Sequence, residues 1–127
     1  MANQKMLLEK LFDLSEYTEL ALTQSGFPRA QRYTLCAQIR GRLDEIRNLA
    51  IRCMKGYIQK STLQNMDIAI EQLRWDIRIS YRRKYISEHR LDVWMAQVDE
   101  IGRMVGGWIK KHDARRSAST NQSAPTA

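Results

Sequence analysis

Residues 29–60 carry eight basic side chains, Arg29, Arg32, Arg40, Arg42, Arg47, Arg52, Lys55 and Lys60, against two acids, Asp44 and Glu45. Six of the seven net positive charges of the chain therefore fall on one helix-length stretch. Such a surface attracts polyanions, and guanidinium groups in particular hold phosphate oxygens through paired hydrogen bonds. The competing reading is a solvated basic face with no ligand. No catalytic constellation rivals these two. His89 and His112 are the only histidines, and neither forms the Glu-x-x-His pair by which helical bundles hold metals, so both read as surface residues. No serine or cysteine has a base at helical spacing, and there is no glycine-rich phosphate loop. The chain reads as a non-enzyme with no metal, cofactor or small-molecule substrate.

The elements that must position these charges are all helical. From Met6 to about Gln24, Leu7, Leu11, Leu14, Thr18, Ala21 and Leu22 recur every three or four residues, which is one buried stripe. Ser25-Gly26-Phe27-Pro28 ends that helix, and Pro28 suits the first position of a second one running to about Tyr57. Its core face is Leu35, Ile39, Leu43, Ile46, Ala50, Cys53 and Tyr57. After a turn at Gly56–Ser61, with Ser61 or Thr62 as cap, a third helix buries Leu63, Met66, Ile70, Leu73, Ile77 and Tyr81. Ser87 reads as the N-cap of a fourth, whose stripe is Leu91, Trp94, Val98, Ile101, Val105 and Ile109. Periodicity stops after Lys111. The expected organisation is all-α: an up-and-down antiparallel four-helix bundle over residues 1–114, followed by a disordered polar tail over 115–127.

Length allows one domain with a real core. Cys36 and Cys53 lie on one helix about 25 Å apart at 1.5 Å per residue, too far for a disulfide, so both read as reduced core residues. The N-terminal residues show neither the apolar run of a signal peptide nor the length of a membrane span, which gives a cytoplasmic reading with no membrane partner.

Helical phasing sharpens the charge map. Arg29, Arg40 and Arg47 share a narrow arc opposite the core, flanked by Tyr33, Ile51 and Lys55, while Arg32 projects nearer the core side. An exposed tyrosine beside guanidinium groups can stack on an unpaired base, and phosphate contacts of this kind carry no sequence preference. On helix three, Arg74, Arg78 and Arg82 form a ridge at spacings of four, with Arg83 and Lys84 beyond it; Glu71 and Asp76 are placed to neutralise part of that ridge. Ile68, Trp75 and Ile79 make a second apolar stripe opposite the core stripe, which fits packing against another copy of the chain or a protein partner. Gly102, Gly106 and Gly107 each cost a helix about 1 kcal/mol relative to alanine, which implies a close approach by a neighbouring helix.

The segment Phe27-Pro-Arg-Ala-Gln-Arg-Tyr-Thr-Leu-Cys-Ala-Gln-Ile-Arg40 resembles the start of the second helix in four-helix-bundle proteins related to those encoded by bacterial ribosomal RNA intervening sequences. Asp99-Glu-Ile-Gly-Arg-Met-Val-Gly-Gly-Trp-Ile-Lys110, with Leu73-Arg-Trp-Asp-Ile-Arg78, is similar to the Avd branch, the accessory variability determinants of diversity-generating retroelements. The resemblance spans nearly the whole chain apart from the tail. It implies a homopentameric, positively charged barrel of bundles that binds the retroelement's reverse transcriptase and template RNA. It also implies a non-catalytic role in supporting mutagenic complementary-DNA synthesis. The basic positions it carries over are Arg74 and Arg78, and Asp76 stands where family members often have an apolar residue. The alternative is a stand-alone protein-binding or self-assembling bundle with no nucleic-acid role.

Overall fold

The computed structural model describes the backbone of residues 2–57 and 59–123 and the side chains of residues 5–57 and 59–118. Among these the chain forms four α-helices and no strand: α1 (Ala2–Gln24), α2 (Leu35–Met54), α3 (Lys60–Arg82) and α4 (Glu88–Ser123), with a short 3-10 helix at Arg29–Tyr33. Each helix packs on its two sequence neighbours and α4 closes against α1, so α1 and α3 lie on one diagonal and α2 and α4 on the other. Paired residues fix the antiparallel register. Lys10 faces Glu100 and Thr18 faces Trp94 across α1 and α4, while Arg74 faces Asp99 and Lys60 faces Asp113 across α3 and α4. The four-helix bundle expected from periodicity is the observed fold.

Every stripe residue expected on α1 is buried, and the α2 stripe from Leu35 through Cys53 is buried as well. Trp94, fully buried, is the largest side chain of the core; its indole Nε1 donates to Thr18 Oγ1 at 3.0 Å, which satisfies both polar groups inside the bundle. Cys36 and Cys53 are buried free thiols, and burial pushes both up from the ordinary thiol range, with Arg40 pulling Cys36 back slightly. No helix among the described residues is long and apolar enough to cross a membrane.

The second helix differs from the expected Pro28–Tyr57 span at both ends. Pro28 is extended at φ −60°, ψ 149°, and a turn of 3-10 helix precedes a break at Thr34. The cause lies outside the segment. The Gly26 N–H donates to the Tyr85 carbonyl at 2.8 Å and the Phe27 ring packs on Tyr85 at 5.3 Å, so the chain leaves the first loop in a direction fixed by the third. The Thr34 hydroxyl then donates to Gln31 Oε1 at 2.8 Å, a local bond that competes with helix continuation. At the other end Gly56 takes φ 89°, and the pair Gly56 N–H to Cys53 carbonyl and Tyr57 N–H to Arg52 carbonyl closes a Schellman motif. Tyr57 therefore lies beyond the helix and is exposed, not in the core.

Helix α3 begins two to three residues earlier than expected, after Gln59, with no side-chain cap, so neither Ser61 nor Thr62 caps it. Tyr81, in the last turn of α3, is exposed where a core position was expected, while its neighbour Ser80 is buried. The Schellman motif of α3, Lys84 N–H to Tyr81 carbonyl and Tyr85 N–H to Ser80 carbonyl, places Lys84 at φ 64°. A side chain in that region costs energy that glycine avoids. Lys84→Gly should therefore raise stability by about 0.5–1 kcal/mol in urea denaturation, and an unchanged or lower midpoint would contradict the strain. Ser87 caps α4 as expected, its Oγ accepting from the Arg90 N–H at 3.1 Å. Helix α4 continues past Lys111, where the sequence periodicity stops, to Ser123. Residues 124–127 of the expected tail lie outside the described residues.

Candidate nucleic-acid interface

The up-and-down topology gathers the C-terminal ends of α1 and α3 and the N-terminal ends of α2 and α4 at one end of the bundle. The Gly26–Tyr85 hydrogen bond ties the two loops there. Arg29, Arg32, Arg82, Arg83 and Lys84 all occupy this end, all are exposed, and none has an ion-pair partner among the described residues. Tyr33, at the same end, is 87% exposed. Glu88, in the first turn of α4, is an exposed acid at the same end. Arg32, expected nearer the core, is exposed because the 3-10 turn shifts its phase relative to a continuous α-helix. With Tyr33, Arg40 and Phe27 it lines a polar recess at the α1–α2 corner.

The other sequence-selected cations are differently employed. Arg40 is held by Glu19 from α1 in a two-pronged pair, Nε to Oε1 at 2.6 Å and Nη2 to Oε2 at 3.0 Å. That hydrogen bond pulls the Glu19 carboxyl below its usual range and raises Arg40. Arg47 sits 3.3 Å from Asp44 on its own helix. Lys55 is exposed but follows α2, at the opposite end of the bundle from Arg29, so the outward arc on α2 is not one patch.

Arg74 is a bridge. Its side chain is only 19% exposed, and it donates to Asp99 Oδ1 on α4 at 2.8 Å and to Glu71 Oε2 at 2.9 Å. Burial works against its charge, but these two carboxylates outweigh burial and raise its pKa. Gly102 makes the bridge possible: a Cβ there would collide with the Arg74 guanidinium and touch Ile70. A Cβ at Gly106 or Gly107 meets no atom within 4 Å, so the close approach expected of three glycines belongs to Gly102 alone within this chain. Arg78 is half-exposed, 3.7 Å from Glu71, and free to turn outward. Arg74→Ala should cost about 1 kcal/mol in urea denaturation and Arg78→Ala less than about 0.5 kcal/mol; equal losses would remove the bridge assignment.

Asp76 does not neutralise the α3 ridge. It is buried, accepts from Gln38 Nε2 at 2.7 Å and Arg42 Nε at 3.2 Å on α2, and its backbone carbonyl accepts from Ser80 Oγ at 2.9 Å. This network was not visible in the sequence, since nothing local pairs residues 34 and 38 positions apart. Of the second apolar stripe, Ile68 and Trp75 are exposed, whereas Ile79 is half-buried against the core edge. Trp75, Ile79, Tyr81 and Leu91 line an open groove of about 530 Å³ rimmed by Arg78, Arg82 and Arg83. His89 is exposed and His112 is half-buried with Nδ1 unbonded. No three His, Cys, Asp or Glu side chains converge to hold a metal among the described residues.

A family model described as bAvd-like matches residues 5–112, from the first turns of α1 into α4. The chain belongs to the bAvd-like family. A search of curated proteins finds no match. The Avd-like family is one of accessory, non-catalytic proteins, and membership points to the accessory protein of a diversity-generating retroelement. Within this bAvd-like chain, Arg74 holds α3 on α4, and the buried Asp76 is paired with Arg42 and Gln38. Accessible cations of the bAvd-like bundle include those around the joined loops and along the outer edge of α3.

Proposed function

We propose that the protein is a cytoplasmic, homopentameric accessory subunit that binds a reverse transcriptase and its template RNA and supports mutagenic complementary-DNA synthesis. The observation that carries this reading is the set of unpaired cations that share one end of a bAvd-like bundle with exposed Tyr33. Phosphates along a strand would be held by Arg29, Arg32 and Lys84, with Tyr33 offering a face on which an unpaired base stacks. The contribution to synthesis is positional. Neutralising phosphate repulsion keeps template and polymerase in a productive arrangement, and the protein supplies no reacting group. Arg78, Arg82 and Arg83 lie along α3 on the same side as Trp75, where a protein partner would meet them.

Filter binding over a salt series, followed by co-purification with the reverse transcriptase encoded beside it, tests the proposal. Affinity should fall steeply with salt and the three components should co-elute. Salt-insensitive binding, or none at low salt, would exclude the RNA role. Exposed Trp75 and Ile68 also suit a stand-alone self-assembling bundle. The presence or absence of a neighbouring reverse transcriptase gene and template repeat separates the two readings.

A further inference from the structure

The largest exposed apolar side chain on α1 is Phe12, 69% exposed and unexplained by the core. Glu9, Asp13 and Glu16 surround it, all exposed and none with an ion-pair partner among the described residues; Glu19, on the same face, is taken by Arg40. Lys5 is the cation of that face. An aromatic knob thus stands in an acidic field on an otherwise basic molecule.

Diagonally across the bundle, the outer face of α3 is its complement. Trp75 is 62% exposed, and the groove beside it is apolar at the floor and rimmed by Arg78, Arg82 and Arg83. On both helices the aromatic and its charged neighbours follow helical spacing: Phe12 with Glu9 and Glu16, Trp75 with Arg78 and Arg82.

The heights match as well. Lys10 is paired to Glu100 and Arg74 to Asp99, neighbouring residues of α4, so Phe12 and Trp75 lie within about one helical turn of the same level along the bundle axis. Alternate helices of an up-and-down bundle also run in the same direction, so α1 of one copy can lie along α3 of the next with both bundles level.

We propose that the Phe12 face of one copy docks in the Trp75 groove of a second copy, head to tail, with Glu9, Asp13 and Glu16 meeting Arg78 and Arg82 of that copy. This rests on the self-assembly reading above and adds which surfaces join. Two different faces make the contact heterologous, and level copies repeat without a rise along the bundle axis; such a contact closes into a ring where the rotation between copies divides a full turn and runs on as an open chain where it does not. Charge complementarity fixes the order of the two faces, and the aromatic pair supplies the buried anchor. Arg78 and Arg82 are then occupied between copies, and RNA is left to Arg29, Arg32, Tyr33 and Lys84.

The test uses two exposed-site variants, F12D and W75D, with circular dichroism as the folding control and sedimentation velocity as the readout. The wild type should assemble, and each variant alone should associate at least about thirtyfold more weakly. Mixed in equal amounts they should form a heterodimer and nothing larger, because one intact knob and one intact groove remain. Normal assembly of F12D, or a mixture that stays monomeric, would overturn the pairing while leaving self-assembly in place. If W75D assembles normally but loses the reverse transcriptase, the groove belongs to the polymerase and the pairing falls. A monomeric wild type would overturn the self-assembly reading and this contact with it.

Discussion

Replacing Arg29, Arg32 and Lys84 together by glutamate should lower affinity for single-stranded RNA about a hundredfold at roughly 0.1 M salt. Each phosphate neutralised on a single strand contributes about 0.7 to the slope of log affinity against log salt, so three contacts account for a slope of about 2. Extrapolated from 1 M, where counterion release no longer helps, that slope corresponds to the stated loss at 0.1 M. All three side chains are exposed and lack ion-pair partners among the described residues, so the bundle should keep its helicity and its oligomeric state. Tyr33→Ala should weaken single-strand binding by about tenfold and leave duplex binding unchanged, because only an unpaired base presents a face to the ring. Reversal of Arg40 should matter less to RNA, since Glu19 already offsets its charge. Filter binding across salt reads all of these, and an unchanged slope in the triple variant would remove the joined-loop end from the interface.

Trp94→Ala should destabilise the bundle by about 3–5 kcal/mol. The indole is fully buried between α1 and α4, so truncation leaves a cavity and strands the Thr18 hydroxyl. For a chain of this size that loss lowers the thermal midpoint by more than about 10 °C. The hydrogen bond can be separated from the packing. Thr18→Val leaves the Nε1 donor buried and unsatisfied, at about 1–3 kcal/mol, and adding Trp94→Phe should recover part of it by removing the orphaned donor. Strictly additive losses in thermal or urea melts would mean that the bond contributes nothing beyond packing. RNA affinity of the folded fraction should stay the same, because Trp94 reaches none of the exposed cations.

Reversal of Arg74 and Arg78 together would mix two effects. A carboxylate at position 74 would face Asp99 and Glu71, and the α3–α4 contact would weaken. Loss of complementary-DNA synthesis in that double variant would therefore report stability as well as binding, whereas Arg78 varied alone reports the surface.

The helices were legible because burial in a bundle imposes a period that a single segment records on its own. The stripe from Leu7 to Leu22 and the Ser87 cap both follow from residues within a few positions of one another. The split before α2 was hidden because its cause, the contacts of Gly26 and Phe27 with Tyr85, lies some sixty residues away. Phe12 was passed over for the opposite reason: an exposed aromatic leaves no periodic trace, and its acidic neighbours look like any solvated face.

By itself the sequence determined the helical class, the core stripes and the net positive charge, all of which are sums or periods over local residues. Tertiary structure decided which charges are available. Arg40, Arg42 and Arg74 are taken by Glu19, Asp76 and Asp99, acids 21, 34 and 25 positions away on other helices, while Arg29 and Arg32 on one loop share an end of the bundle with Lys84 on another, the two loops tied by the Gly26–Tyr85 hydrogen bond. Charge is written residue by residue, but pairing depends on distance in space, and only the register of the packed helices sets that distance.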